Sequence, residues 1–512
     1  MTARGTQSES LPTAPSFRRR EPQLSPVEDL PADSARQIDR LVERTQAAFS
    51  APAPLELRLE RLDRLERVLT GHREALQAAL AQDLGKSQTE SELTEIGVTL
   101  TELRHVRRSL ASWMAPRSVG SAAVLSPSSG WVQAQPLGTV LIIAPWNYPV
   151  QLLLSPLVGA LAAGNTAVVK PSEHTPHVSQ ALSRALEQEL PDCVGVVQGG
   201  IPETTRLLQH RFDHLFFTGN SAVGRVVMRA AAEHLTPVTL ELGGKSPVWI
   251  DATVDLPAAA RRLAWAKLVN AGQTCVAPDY VMAPASVLEQ LVPLLTEAIR
   301  EFYGEDPQSS PSYGRIVSAR HLQRLTQLLE RVPASDVLAG GRHDLEDRYL
   351  EPTIVRSAPD GPLMEQEIFG PVLPLVAVED HGQAIDVVQA GEKPLALYVM
   401  SRDEQVRAGF SERTSSGGMT FEAPMVHLIH PQLPFGGVGD SGMGAYHGRA
   451  SFDTFSHHRS VLAKPLSPET LSVTFPPYSG ARAWAARQLM SAPTPSELVH
   501  RLRRRRGGRT RD

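Results

Sequence analysis

The sequence predicts an α/β fold: a doubly wound parallel sheet, a second mixed α/β region, and a short arm toward the C-terminus. Three observations predict it. Four apolar runs of strand length fall between residues 140 and 218, each ended by Pro or Gly close by. Helix-like segments separate them, and repeated β–α–β units imply a parallel sheet with ligands at the carboxyl ends of its strands. A very Gly-rich stretch at 434–444 leads into a segment, ending near Leu462, that is too short to own a core.

In chain order, residues 1–33 read as a disordered leader rich in Ser and Pro. Ser34 with Gln37 reads as a capping-box helix start, with Ile38, Leu41, Val42, Thr45 and Phe49 on one face. After Ala51-Pro52-Ala53-Pro54, Leu55, Leu59, Leu62, Leu65 and Leu69 continue the helical period. Such amphipathic helices cover a core and keep their charges solvated. Val140–Ala144 is continuously apolar, as a buried parallel strand should be. Pro145-Trp146-Asn147-Tyr148-Pro149 breaks it. Gln151–Gly164 is helix-like, and Ala167–Lys170 is a strand stopped by Pro171. Val194–Val197 and Leu215–Thr218 are two more strands, and a helix over Asn220–Glu233 opens directly on the last. A second mixed α/β stretch runs from about Gly243 to Ala423.

Composition excludes several functions. At 512 residues the chain exceeds one compact core, and a net charge of −4 gives the whole molecule no electrostatic case for nucleic acid. Two cysteines, Cys193 and Cys275, make no disulfide framework, and no C-x-x-C pair is present for a structural zinc; no metal is expected. A reducing, cytoplasmic setting is the expectation. No uninterrupted apolar stretch reaches the ~18 residues of a membrane span, and Arg18-Arg19-Arg20 precedes no apolar signal core.

Five places can carry chemistry. Gly219-Asn220-Ser221-Ala222-Val223-Gly224 lies between a strand and a helix, where glycines let a phosphate reach backbone N–H groups. It is neither Gly-x-Gly-x-x-Gly nor a P-loop, since Arg225-Val226 replaces Lys-Ser/Thr, and a tight turn is the plain alternative. Lys170 ends a strand with Glu173 three residues on, a pair suited to ribose hydroxyls or else a surface ion pair. Cys275 sits in Asn270-Ala271-Gly272-Gln273-Thr274-Cys275, polar and turn-forming, where a thiolate is accessible; a lone cysteine is otherwise a small buried hydrophobe. Cys193, ahead of strand-like valines, fits that inert role. Glu241, an acid inside an apolar strand before Gly243-Gly244, is either a general base with a raised pKa or half of a structural salt bridge. Asn147 can donate to an oxyanion or make an Asx turn before Pro149, and Glu367 is a ribose ligand or a helix-end acid, with Phe369 able to pack on a flat ring.

Together these residues resemble the aldehyde dehydrogenase superfamily, and within it the class-three (fatty and aromatic aldehyde) branch, over roughly residues 36–475. The motifs are Pro145-Trp146-Asn147-Tyr148-Pro149, Lys170-Pro171-Ser172-Glu173, Phe217-Thr218-Gly219, Leu240-Glu241-Leu242-Gly243-Gly244-Lys245, Gly272-Gln273-Thr274-Cys275, Glu367-Ile368-Phe369-Gly370-Pro371 and Leu433-Pro434-Phe435-Gly436-Gly437. Each is weak alone; their order and spacing are not. The resemblance implies oxidation of an aldehyde, medium- to long-chain aliphatic or aromatic, with NAD, or NADP as the alternative. It implies that Cys275 attacks the aldehyde, that Asn147 holds the hemithioacetal oxyanion and that Glu241 activates water against the thioester. Lys170 and Glu173 would hold the adenosine ribose, residues 219–224 the pyrophosphate region, and Trp146, Glu367 and Phe369 the nicotinamide side.

It also implies a homodimer and three parts: a cofactor domain at 34–242 (with 120–135 able to belong to the arm), a catalytic domain at 243–425 and a small β oligomerisation arm at 426–464. There are departures. Asn220 and Arg225 replace the branch's usual Ser or Thr and Lys, and Thr420-Phe421-Glu422-Ala423 replaces an Asn-containing run at the substrate tunnel. Residues 465–512 form a tail. Ala481–Met490 reads as a short amphipathic helix, and Val499–Asp512 holds seven arginines. A solvated basic tail is the leading expectation there, with peripheral contact to an anionic membrane as the lesser one.

Overall fold

The computed structural model describes residues 30–49, 53–121, 125–478 and 480–491. The expected leader, apart from its last four residues, and the arginine-rich end lie outside them. The described residues fall into two compact units, one comprising the chain up to Ser109 with Leu137–Phe455, the other Leu110–Pro136 with the chain from Ser456 on.

In the first unit the apolar runs became a six-stranded sheet. Its order is Gly442–Met443, Val238–Leu242, His214–Gly219, Thr139–Ile143, Thr166–Lys170, Val194–Val196. All neighbours are parallel except the antiparallel edge Gly442–Met443. Residues 426–455, grouped with the arm on sequence, thus belong to this unit, and one edge strand of the cofactor sheet comes from them. The Thr139–Ile143 and Thr166–Lys170 strands are buried throughout, which is why their sequences show no alternation. Gln151–Ala163 packs on both, buried on nearly every side, and Gly164 ends it at φ 94°.

A second, seven-stranded sheet has the order Val337–Ala339, Thr353–Ser357, Val372–Ala377, Tyr280–Ala283, Pro247–Ile250, Ala396–Met400, Gly418–Phe421. It is parallel except at Val337–Ala339. The first helix runs Ala32–Ala47 and buries Ile38, Val42 and Thr45, the expected face. Its start differs from expectation. Pro31 takes the N-cap position and Ser34 lies inside the first turn, so no capping box forms. A proline with φ near −53° enters a helix without an N–H to satisfy, which makes the Ser34 hydroxyl unnecessary.

The second unit holds a three-stranded antiparallel sheet: Arg117–Val119, Ser129–Pro136 and Ser456–Ala463. The expected Ala481–Met490 helix is present as Gly480–Ser491. Among the described residues, no helix is long and apolar enough to cross a membrane.

Candidate active site

The segment before Cys275 is unusual backbone. The Leu256–Leu268 helix ends, and Asn270, Ala271 and Gly272 then follow one another at φ 55°, 52° and 75°. L-residues avoid this left-handed region, at a cost of about 1–3 kcal/mol each, so the neighbourhood must hold the turn in place. Only glycine fits at 272, because a Cβ there would stand 2.3 Å from the Gly370 carbonyl oxygen. The fully buried Gln273 side chain donates to the carbonyls of Asn270 (2.9 Å) and Arg315 (3.0 Å) and accepts from the Val317 N–H (2.9 Å). Tyr148 Oη and Thr274 Oγ1 share a hydrogen bond at 2.6 Å, and Tyr398 Oη donates to the Val276 carbonyl.

Cys275 itself is half-buried, whereas Cys193 is buried. Burial pushes the Cys275 thiol well up, and the nearby Glu367 and Glu241 push the same way. The resting thiol is therefore neutral at pH 7, and its activation needs a base or a cation beside it.

Asn147 is buried and its Nδ2 donates to the Gln273 carbonyl at 3.0 Å, across to the nucleophile loop. An Asx turn is not available to it, since the residue two ahead is Pro149 and carries no N–H. Its own carbonyl accepts from Asn270 Nδ2 (2.7 Å) and Lys86 Nζ (3.1 Å).

Glu241 sits in the Val238–Leu242 strand, opposite Thr218 on one side and Gly442 on the other. It is buried, yet neither carboxylate oxygen has a hydrogen-bond partner. Burial holds its carboxyl far above the usual carboxylate range. The salt-bridge alternative is thus absent, and an unpartnered buried acid remains.

Glu367 lies in an irregular loop and not at a helix end. Its carboxylate rests against Gly243, where a Cβ would stand 2.0 Å from Oε2, and it accepts from the Gly244 N–H. Burial and then Asp279 push it up to about 8, against the pull of Gly244, Lys245 and Arg324. Asp279 accepts from the Ile368 N–H (3.1 Å) and pairs with Lys245, which also donates to the Leu363 and Gln366 carbonyls. Beside this loop Phe369 meets Trp146 edge to face at 5.4 Å, and Trp146 meets His321 at 4.9 Å.

The second group lies at the carboxyl ends of the parallel strands. Lys170 is buried and pairs with Glu173 at 2.7 Å. Burial alone would raise the Glu173 carboxyl, but Lys170 overrides it and holds the group below its usual range. The surface-pair alternative holds for Glu173 only. Ser221–Glu233 opens where His214–Gly219 ends, and the Asn220 side chain caps it by accepting from the Val223 N–H at 2.9 Å. Gly224 serves packing, since a Cβ would meet the Leu242 side chain at 2.9 Å. Gly219, Ser221 and Ala222 are left at the open helix N-terminus, a place that favours a phosphate. A strand-end Lys/Glu pair, an open helix start and a Trp146–Phe369 wall near the thiol fit the ribose, pyrophosphate and nicotinamide of a dinucleotide.

The model of the aldehyde dehydrogenase family matches residues 14–461 of the chain. The chain belongs to the aldehyde dehydrogenase family. It is 47% identical to aldehyde dehydrogenase family 3 member B1 of Bos taurus, over 86% of this chain and 94% of that protein. It is 45% identical to the dimeric NADP-preferring aldehyde dehydrogenase of Canis lupus familiaris, over 86% of this chain and 98% of that protein. Among solved structures, Staphylococcus aureus AldH in a substrate-bound state aligns with TM-score 0.84 at 41% identity, covering 89% of this chain and 99% of that one. These relatives place the aldehyde dehydrogenase reading in its class-three branch, and they agree with the expected α/β architecture.

Some residues at this aldehyde dehydrogenase site were not visible as such in the sequence. Lys86, Glu90 and Glu95 reach it from far upstream, Gln273 locks the nucleophile loop, and His321 stands against Trp146. His321 is pushed down to about 4, by burial first and then by Arg324, His174 and Arg320. The signal that could have exposed Gln273 is its place inside the Gly272–Cys275 motif. No local pattern marks the other four.

Proposed function

We propose that this chain oxidises apolar aldehydes, aromatic or medium- to long-chain aliphatic, to carboxylic acids with NAD or NADP, using Cys275 as nucleophile. The observation that carries the reading is Glu241, a buried carboxyl with no partner, near enough to Cys275 to raise its thiol. Deprotonated Cys275 Sγ bonds to the aldehyde carbon. Asn147 Nδ2 and the Cys275 backbone N–H receive the resulting oxyanion. When bound, the dinucleotide supplies the hydride acceptor and, in its oxidised form, a cationic ring that favours the thiolate. Glu241 then takes a proton from the water that attacks the Cys275 thioester, and the acid leaves.

Lys170 and Glu173 bind the adenosine ribose, Gly219 to Gly224 face the pyrophosphate, and Trp146, Glu367 and Phe369 bound the nicotinamide half. Glu173 disfavours a 2′-phosphate, while Lys170 turned outward tolerates one. That leaves room for the NADP preference in the name of the canine relative. The tyrosines 148, 398 and 446, whose environments all include Cys275, support an apolar substrate. The same relative's name supports a dimer. The test is NAD(P)H formation with an aldehyde panel. Cys275→Ala is expected to abolish turnover while keeping cofactor affinity, and Glu241→Gln to give one burst and then stall at the thioester. Undiminished turnover by Cys275→Ala would overturn the assignment.

A further inference from the structure

Three charged side chains upstream of the cofactor sheet are buried around the two loops that do the chemistry, and the mechanism above uses none of them. Lys86 follows the Arg73–Leu84 helix, Glu90 lies in the short Gln88–Ser91 helix, and Glu95 lies in the π-helical turn Glu92–Ile96. A π turn redirects one side chain out of its helical row, and such turns favour functional sites. Here the chain around it brings Glu95 against Lys86 at 2.6 Å, with both side chains wholly inaccessible.

Their remaining bonds go to the loops. Glu95 Oε2 accepts from the Val150 and Gln151 N–H groups, 3.0 Å each, at the start of the helix that follows Asn147. Lys86 Nζ donates to the Asn147 carbonyl at 3.1 Å and stands 4.0 Å from the Tyr148 ring centre. Glu90 Oε1 accepts from the Asn270 N–H at 2.8 Å, at the first residue of the left-handed turn. Asn270 Nδ2 closes the circuit on the same Asn147 carbonyl.

We propose that Lys86, Glu95 and Glu90 form a positioning clamp: they fix the Asn147 loop against the left-handed 270–272 turn, so that the Asn147 amide faces the oxyanion formed at Cys275. The inference rests on the oxyanion role of Asn147. A buried ion pair adds little net stability over an apolar pair of equal volume, so stability alone does not account for placing one here. A charged donor on the Asn147 carbonyl does set the tilt of that residue, and a shift near 1 Å at a reacting group is worth about 100-fold in rate. None of the three side chains needs to touch the substrate.

The experiment is a double-mutant cycle on the full-length enzyme. Lys86→Met with Glu95→Gln removes both charges, keeps the volume and leaves an oxygen for the Val150 and Gln151 N–H groups. Burst rate of NADH formation, NADH affinity by fluorescence and thermal midpoint are measured with Asn147 and with Asn147→Ala. The clamp requires the burst to slow about 10- to 100-fold with NADH affinity intact, and little or no further slowing once Asn147 is alanine. Losses that multiply with Asn147→Ala, or a wild-type burst in the charge-free variant, overturn it. If that variant does not fold, Lys86→Arg, which keeps the charge and displaces the donor, is read by the same two criteria. A wild-type burst in Asn147→Ala alone would instead sink the oxyanion reading, and the clamp with it.

Discussion

At the scale of single residues, the two thiols and the one unpartnered acid behave as environments dictate. Cys193 is buried and its thiol is pushed up to about 12 by desolvation, so it does not ionise near neutrality. Native enzyme is therefore expected to take up one equivalent of iodoacetamide per chain, at Cys275, faster as pH rises; two equivalents before denaturation, by intact mass, would contradict this. Glu241 gives a second expectation. Its carboxyl is raised by burial, so it is protonated at acidic pH and gains base strength only as pH climbs well past the ordinary carboxylate range. Thioester hydrolysis should fall on the acid side with an apparent pKa well above 4.5, and in Glu241→Gln the slow residual rate should lose that limb. A wild-type pH profile in the variant would remove Glu241 from the step. Cys275, Glu241, Asn147 and Glu367 were all legible as candidates because each is an awkward residue for its local pattern. Which alternative held was not legible. Only burial and hydrogen-bond partners separate a base from a salt bridge, or a donor from an Asx turn, and those are set by chain segments up to 126 residues away.

At the scale of elements, continuous apolar runs marked the buried parallel strands to within a residue or two, since such strands face the core on both sides. The start of the first helix was misread because Ser34 and Pro31 both carry start signals three residues apart, and the proline's fixed φ prevailed. The left-handed 270–272 turn was hidden, because Asn and Ala commonly continue a helix or a plain loop. Gly272 is its one compositional trace. Gly272→Ala is expected to be destabilising by more than about 2 kcal/mol and nearly inactive, since it adds φ strain at 75° to a contact 2.3 Å from the Gly370 oxygen. Gly71→Ala, at the end of the Leu55–Gly71 helix with nothing within 4 Å of the new Cβ, should be neutral or stabilising by up to about 1 kcal/mol. Urea unfolding of both variants checks the pair, and equal effects would show that backbone conformation at 272 is not what requires glycine.

At the scale of the whole molecule, the chain of 55.6 kDa is expected to pair with a second copy, and the small antiparallel sheet offers the means. Ser456–Ala463 bonds along one side only, to Ser129–Pro136, so an eight-residue strand stands at the sheet edge. Long edges are a liability unless something covers them or charge protects them. The strand carries His457, His458 and Arg459 in its first half but Val461 and Leu462 in its second. Val119 and Leu462, 39% and 54% exposed, flank Gly130 on the middle strand, where a Cβ would meet both side chains within 4 Å. Apolar groups gathered over a glycine make a flat patch, and a monomer keeps such a patch open to water at a cost of about 25 cal/mol per Å² of apolar surface. Sedimentation of the wild type should give twice the chain mass. Val119→Asp with Leu462→Asp should shift it toward one chain mass at low micromolar protein, while the burst at Cys275 survives, because the catalytic residues all belong to the other unit. A wild-type species that sediments as a monomer would refute pairing, and an unaltered dimer in the double variant would move the interface elsewhere on the molecule.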